Sequence, residues 1–315
     1  MATDVQQVTT PQGTPQTPTS APIEREFTVK SRSQTQQALR RFMHNKLAMA
    51  ALFVYVALLL ISFIYPHFYG WTYDHQDAAS LSSPPGTNGH PFGTDEIGQD
   101  LLARMMLGIQ RSTYISVIFV LVAGSVGVLI GAISGYFGKW VDNVLMRFVD
   151  IILTVPILVA IIVVAANFPG ARSPIGIALF IAILGWMDLA RIVRSSFLSL
   201  REREYVEAAH ALGASDKRII LKHLIPNSLG QIIVWGTLGA ATAVITEAAL
   251  SYLGYGVQGS QTSLGALVAI GAQAAETRPW LFYFPGIAIL IIVLSINLIG
   301  DGVRDAFDPS ANRNR

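Results

Sequence analysis

The 315-residue chain contains no cysteine. Disulfides, thiolate metal sites and cysteine nucleophiles are thereby excluded. Charge is also scarce: 13% of residues are Asp, Glu, Lys or Arg, against about 25% in a soluble domain. With 52% hydrophobic residues, the missing charge points to lipid as the solvent. A net charge of +2 gives no bulk attraction for nucleic acid. Catalytic signatures are missing as well. There is no H-E-x-x-H for a metalloprotease and no G-x-S-x-G nucleophile elbow. Gly135-Tyr-Phe-Gly138-Lys139 imitates part of a phosphate loop, but the first Gly and the final Ser/Thr of G-x-x-x-x-G-K-[ST] are absent. The chain is expected to bind no cofactor, no metal and no nucleic acid, and not to be an enzyme.

What is present is a series of apolar runs. Residues 1–38, rich in Thr, Gln, Pro and Ser, cannot bury enough surface to offset ordering entropy and read as a disordered tail. Residues 47–65 carry no charge and at 1.5 Å per residue span roughly 28 Å, close to the hydrocarbon thickness. A cleaved signal peptide would have a shorter apolar core, so this run reads as an anchor. Further spans are expected at 112–137, 149–168, 175–190, 229–253 and 282–299. The second is dotted with Gly124, Gly127, Gly131 and Gly135, a spacing that lets helices approach closely in lipid. Residues 254–280 suit a short loop or an interfacial helix. Residues 39–91 thus hold the first span and a loop, and 311–315 a short tail. His67, His75 and His90 in that loop match no compact metal-ligand spacing.

Six spans put both termini on one side. Of the 22 Lys and Arg, six fall in 1–46, two in 138–148, seven in 188–228 and three from 301 onward. Arg104, Arg111, Arg172 and Arg278 are the rest. This asymmetry places the termini in the cytoplasm and the 66–111 segment outside. It also places in the cytoplasm the stretch from Glu204 to Asn227, a run with charges of both signs between two apolar runs. That stretch reads as an elbow. Glu204 to Leu212 are good helix formers, Gly213 can end the helix in the left-handed conformation, Ser215 or Asp216 can cap a second helix, and Pro226 limits it.

Charges within spans are functional candidates. Asp150 lies three residues from Arg147, the spacing of a local helical ion pair. Pro156 frees a carbonyl inside its span and can kink it. Glu247 stands among Ala248, Ala249, Ser251 and Gly254, and two readings are equally open: it lines a water-filled route, or it reaches the surface. On these grounds alone, a transporter subunit and a small channel or ion-coupled carrier both remain.

Glu207-Ala-Ala, Gly213 and the Ile225-Pro226 ending resemble the E-A-A---G---------I-x-L-P loop of binding-protein-dependent ABC importer permeases. Phe92-Gly-Thr-Asp95-Glu-Ile-Gly98-Gln-Asp100 is similar to the F-G-T-D-x-x-G-R-D segment of the dipeptide/oligopeptide/nickel branch, with Gln99 in place of the usual Arg. Further matching segments are Met146–Asp150 with Pro156, Glu247–Gly254, Phe284-Pro-Gly286 and the run from Asn297 through Asp301 to Pro309. The resemblance covers about residues 38–310, with 66–90 unmatched, and is strongest to the DppC/OppC-like subunit. It implies an all-α membrane fold with six transmembrane helices and a cytoplasmic coupling helix, the type-1 importer permease fold, over a core of 92–310. It further implies a multi-pass protein of a bacterial-type cell membrane that imports di- or oligopeptides, or alternatively nickel or another small solute. The partners it implies are a second homologous permease, two cytoplasmic ATPases that use ATP and Mg, and an extracytoplasmic binding protein. The residues carried over as ATPase-docking are Glu204, Glu207, Ala208, Ala209, Leu212, Gly213, Ile225 and Pro226. Asp150, Pro156, Glu247 and Asp301 are candidates for pathway or structural roles.

Overall fold

The computed structural model describes residues 34–257 and 262–307, and the expected tails at 1–33 and 311–315 lie outside the described residues. From Gln34 the chain is helical, four residues before the expected end of the disordered tail, because Ala38 and Phe42 find a partner in the last helix. The helices are α1 (Gln34–His44), α2 (Lys46–Ile64), α3 (Leu101–Phe137), α4 (Lys139–Leu153), α5 (Ile157–Asn167), α6 (Pro174–Gly185), α7 (Met187–Leu200), α8 (Glu204–Ala211), α9 (Asp216–Ile219), α10 (Ile225–Tyr252), α11 (Leu264–Gln273) and α12 (Trp280–Phe307). No strand occurs among the described residues. The protein is an all-α membrane protein. Four helical stretches are long and apolar enough to cross a bilayer, and the count reaches six if the bent pairs α4–α5 and α6–α7 each form one span.

α3 begins at Leu101 and not near residue 112, because Asp100 caps it with a bond from the Ala103 amide at 2.7 Å. Its 37 residues extend roughly 55 Å, well beyond a hydrocarbon core of about 30 Å, so its ends stand outside lipid. Gly127, Gly131 and Gly135 form the contact stripe of this helix. A Cβ on them would sit 2.8 Å from the Trp186 carbonyl, 2.5 Å from that of Ala190 and 2.7 Å from that of Arg194. The two four-residue rows, one on α3 and one on α7, bring the backbones together. Gly124 lies off this stripe, with only Trp235 near it at 3.8 Å.

The expected third span is broken rather than kinked. Pro156 lies outside both helices as the N-cap of α5, and α4 and α5 meet at 75°. The fourth runs on past Asp188 and Arg191, bending 40° at Trp186. Pro226 does not end the second arm of the elbow. A π-helical turn over Ile220–Leu224 shifts the pairing so that the Ile225 amide bonds the Ile220 carbonyl. Pro226 then falls in the first turn of α10, where its missing N–H costs nothing. The expected 254–280 connection contains the short helix α11, which packs into the bundle. Leu264 and Leu267 are buried against α10, α12 and the start of α3.

Candidate functional site

The elbow is held in place by three aliphatic side chains. Val206 of α8, Ile219 of α9 and Leu224 of the π turn are fully buried with Ala132, Leu189, Val193 and Phe197 of α3 and α7. Burial of each is worth roughly 1.5–3 kcal/mol. α8 starts at Arg203 without a side-chain cap, but Glu204 and Glu207 occupy its first turn, where negative charge is favoured. Its end is a Schellman motif. Ala214 N–H donates to Ala209 O at 3.0 Å and Gly213 N–H to His210 O at 2.9 Å. This needs a left-handed residue, and Gly213 has φ +77° with no atom within 4 Å of where a Cβ would stand. Ser215 is the N-cap of α9, through its backbone only.

A second set of contacts fixes the angle between the arms. The Tyr136 phenol, in the last turn of α3, donates to Asp216 Oδ1 at 2.7 Å and lies 3.3 Å from His210 Nε2. One hydroxyl therefore touches both sides of the Gly213 hinge. Arg201 reaches the carbonyls of Gly135 and Tyr136 at 3.4 Å each. An open cleft of about 400 Å³ lies among Tyr136, Arg201, Glu202, Glu207, His210 and Asp216. Hydrogen bonds of this kind contribute about 1 kcal/mol each, so the buried aliphatics set the position and Tyr136 refines the geometry. No sequence signal marked Tyr136, whose partners are 74 and 80 residues away.

The residues carried over for docking sit together on this elbow. Glu204, Glu207, Ala208, Gly213 and Pro226 are exposed, Leu212 is 88% exposed, and Ala209 and Ile225 are half-buried. Leu212 is thus an apolar side chain standing almost wholly in solvent, near small residues and two carboxylates.

The other candidates are dispersed. Asp150 pairs with Arg191 at 2.5 Å and not with Arg147, because α4 packs against α7 and brings a residue 41 positions away within reach. The stronger ion pair of this region was not foreseen. Asp142, nearly buried, takes two bonds from Arg194, one at 2.6 Å, and a third from Ser134 at 2.5 Å. Glu247 neither reaches the surface nor faces an open route. It is completely buried, and its Oε1 accepts from Ser251 at 2.7 Å and Ser263 at 2.6 Å. Ser263 also caps α11 through the Ala266 amide, so one carboxyl joins α10 to the start of α11. Among the described residues Glu247 Oε2 makes no hydrogen bond of ordinary geometry, and the buried hydroxyl of Ser112 lies beside the same carboxyl. Asp301 is exposed near the end of α12.

At the opposite end of α3, residues 66–100 build a closed structure with little regular backbone. His90 is fully buried, bonded to Asp100 Oδ2 at 2.8 Å and Asp77 Oδ2 at 3.4 Å, and tilted against Trp71 at 4.4 Å. Asp77 is held below the usual carboxylate range, first by the Ser80 hydroxyl and then by the Ala79 amide. Burial and then the Asp100 charge push the Tyr69 phenol up. Asp95 Oδ1 accepts from the Gln99 amide at 2.8 Å, and its other oxygen pairs with Arg104. Among the described residues no group of three or more potential metal ligands is assembled.

The chain matches two family models, "binding-protein-dependent transport system inner membrane component" over residues 127–313 and "N-terminal TM domain of oligopeptide transport permease C" over residues 33–85. The second match extends into the 66–90 stretch that the motif resemblance leaves unmatched. The oligopeptide transport system permease protein OppC of Mycobacterium bovis is 39% identical over 89% of this chain and 96% of its own length. The dipeptide transport system permease protein DppC of Alkalihalophilus pseudofirmus is 37% identical over 93% of this chain and 94% of its own. A chain of the MetNI methionine ABC transporter, solved in an inward-facing conformation, superposes with a TM-score of 0.53 at 19% identity, over 66% of this chain and 98% of that one.

Proposed function

The chain belongs to the family of binding-protein-dependent transport system inner membrane components, and from that membership we propose that it forms half of the pathway of an ATP-driven importer for oligopeptides or dipeptides. It is a multi-pass membrane subunit and not an enzyme, and its family works with ATPases and a binding protein. The peptide class comes from the names of its relatives. A second, homologous permease supplies the other half. Two cytoplasmic ATPases hold the ATP and Mg, and this chain holds neither. The Lys and Arg asymmetry supports termini and elbow in the cytoplasm, with the 66–100 end turned toward an extracytoplasmic peptide-binding protein.

The observation that carries the reading is the elbow itself. An ATPase surface can close over Ala208 and Leu212 without displacing bulk, and a basic partner can meet Glu204 and Glu207. The Gly213 turn then passes the closure of the ATPases to α7 and α10 as a rigid-body shift. Gly213→Leu tests it. A Leu at φ +77° carries about 1–2 kcal/mol of left-handed strain, enough to change the population of the docked geometry about 5–30-fold. Uptake of radiolabelled peptide and transport-coupled ATP hydrolysis are expected to fall by about that factor while membrane insertion persists. Unchanged uptake would sink the coupling role.

A further inference from the structure

α1 has eleven residues and no acidic one. One of its faces is covered. Ala38 is buried, and Phe42 lies against Gly302 of α12, where a Cβ would stand 3.3 Å from its ring. Another face is not. Leu39 and Met43, one helical turn apart, are each 61% exposed, and so is Leu47 in the first turn of α2. Asn45, with extended dihedrals, ends α1 and caps α2 through the Ala48 amide. Beyond Asn45 the outer surface of α2 is apolar and exposed as well, Phe53 and Leu60 included. A helix that crosses a bilayer turns a surface of that kind to hydrocarbon. Around the strip stand Arg40 and Lys46, both exposed, with His44 bonding back to the Arg40 carbonyl.

Three environments could cover Leu39 and Met43: water, protein or lipid. Water leaves the apolar strip unpaired at roughly 25 cal/mol per Å². A protein interface core is depleted of Lys, whereas here Lys46 stands beside the apolar residues. The boundary between acyl chains and headgroups takes both at once, the apolar side chains a few ångströms deep and the cations at the phosphates. We propose that α1 is an interfacial helix that inserts Leu39 and Met43 into the leaflet at the elbow's end of the molecule. Arg40 and Lys46 bind the phosphates of acidic phospholipids there. Through Phe42 and Gly302 it ties the end of α12 to the headgroup layer. The inference rests on the chain's insertion in a membrane and not on its cargo or ATPase partners.

The absence of cysteine allows a direct test. Leu39→Cys is spin-labelled in the full chain within its membrane complex, in nanodiscs, with the unsubstituted complex carried in parallel as background. Oxygen, which partitions into lipid, is expected to relax the label more strongly than a water-soluble nickel chelate. A fluorophore at the same position should be quenched more by brominated phosphatidylglycerol than by brominated phosphatidylcholine. Arg40→Gln with Lys46→Gln should reduce that preference about fivefold per residue. A label relaxed mainly by the nickel chelate would put the strip in water, and one shielded from both probes would put it under protein. Either result overturns the proposal. Equal quenching by the two headgroups overturns its acidic-lipid part.

Discussion

The elbow and the 66–100 segment sit at opposite ends of α3 and solve opposite problems. The elbow is regular in backbone and open in side chain. Its helices satisfy their own amides through the Schellman motif and the π turn, which leaves Glu204, Glu207 and Leu212 to solvent. The 66–100 segment is irregular in backbone and closed in side chain. Its polar groups are spent on one another, with His90 between Asp77 and Asp100, Asp95 on Arg104, and Arg278 of the α11–α12 connection on Ser82 and Glu96. Regular structure frees side chains for an outside partner. Irregular structure consumes them. A change in the 66–100 segment should therefore act on folding, and a change in the elbow on coupling.

The comparison can be broken first at His90. His90→Leu removes one of three donors to Asp100, which is 1% exposed and keeps the Tyr69 hydroxyl and the Ala103 amide, and a buried carboxylate that loses a bond costs about 1–3 kcal/mol. Proteolysis within 66–100 should rise by about one to two orders of magnitude, with less chain recovered from membranes. Wild-type protection would show that the segment is not held by this centre. Tyr136→Phe keeps the ring and deletes the bond to Asp216, worth about 1 kcal/mol. ATP hydrolysis by the assembled transporter should persist while peptide moved per ATP falls several-fold, and an unchanged ratio would remove Tyr136 from the coupling path. Leu212→Ser should have the smallest effect on folding, within about 0.5 kcal/mol, as for an exposed site. Binding of the ATPases to membranes containing the chain should weaken by several-fold. A loss of thermal stability of a few degrees or more, with docking intact, would reverse the contrast drawn between the two ends.

Composition and pattern alone determined that the chain lives in a membrane, that its helices carry small-residue contact stripes, and that an elbow interrupts its last third. These are properties of solvent and of local backbone chemistry. Scarce charge excludes water, and Gly213 is legible because a left-handed turn requires it. The family was legible in the same residues. What only the tertiary structure decided was which side chains meet. Asp150 chose Arg191 over the nearer Arg147, and Tyr136 reached both arms of the elbow, because helix packing joins residues 41 to 80 positions apart. Glu247 was read as lining a route or reaching the surface, and it does neither. The Ser263 that bonds its Oε1 together with Ser251 lies beyond the turn that follows α10, and no sequence period reports a turn's return. Pro226 was read as an end and is a beginning, since the π turn that accommodates it depends on how Ile219 and Leu224 are buried.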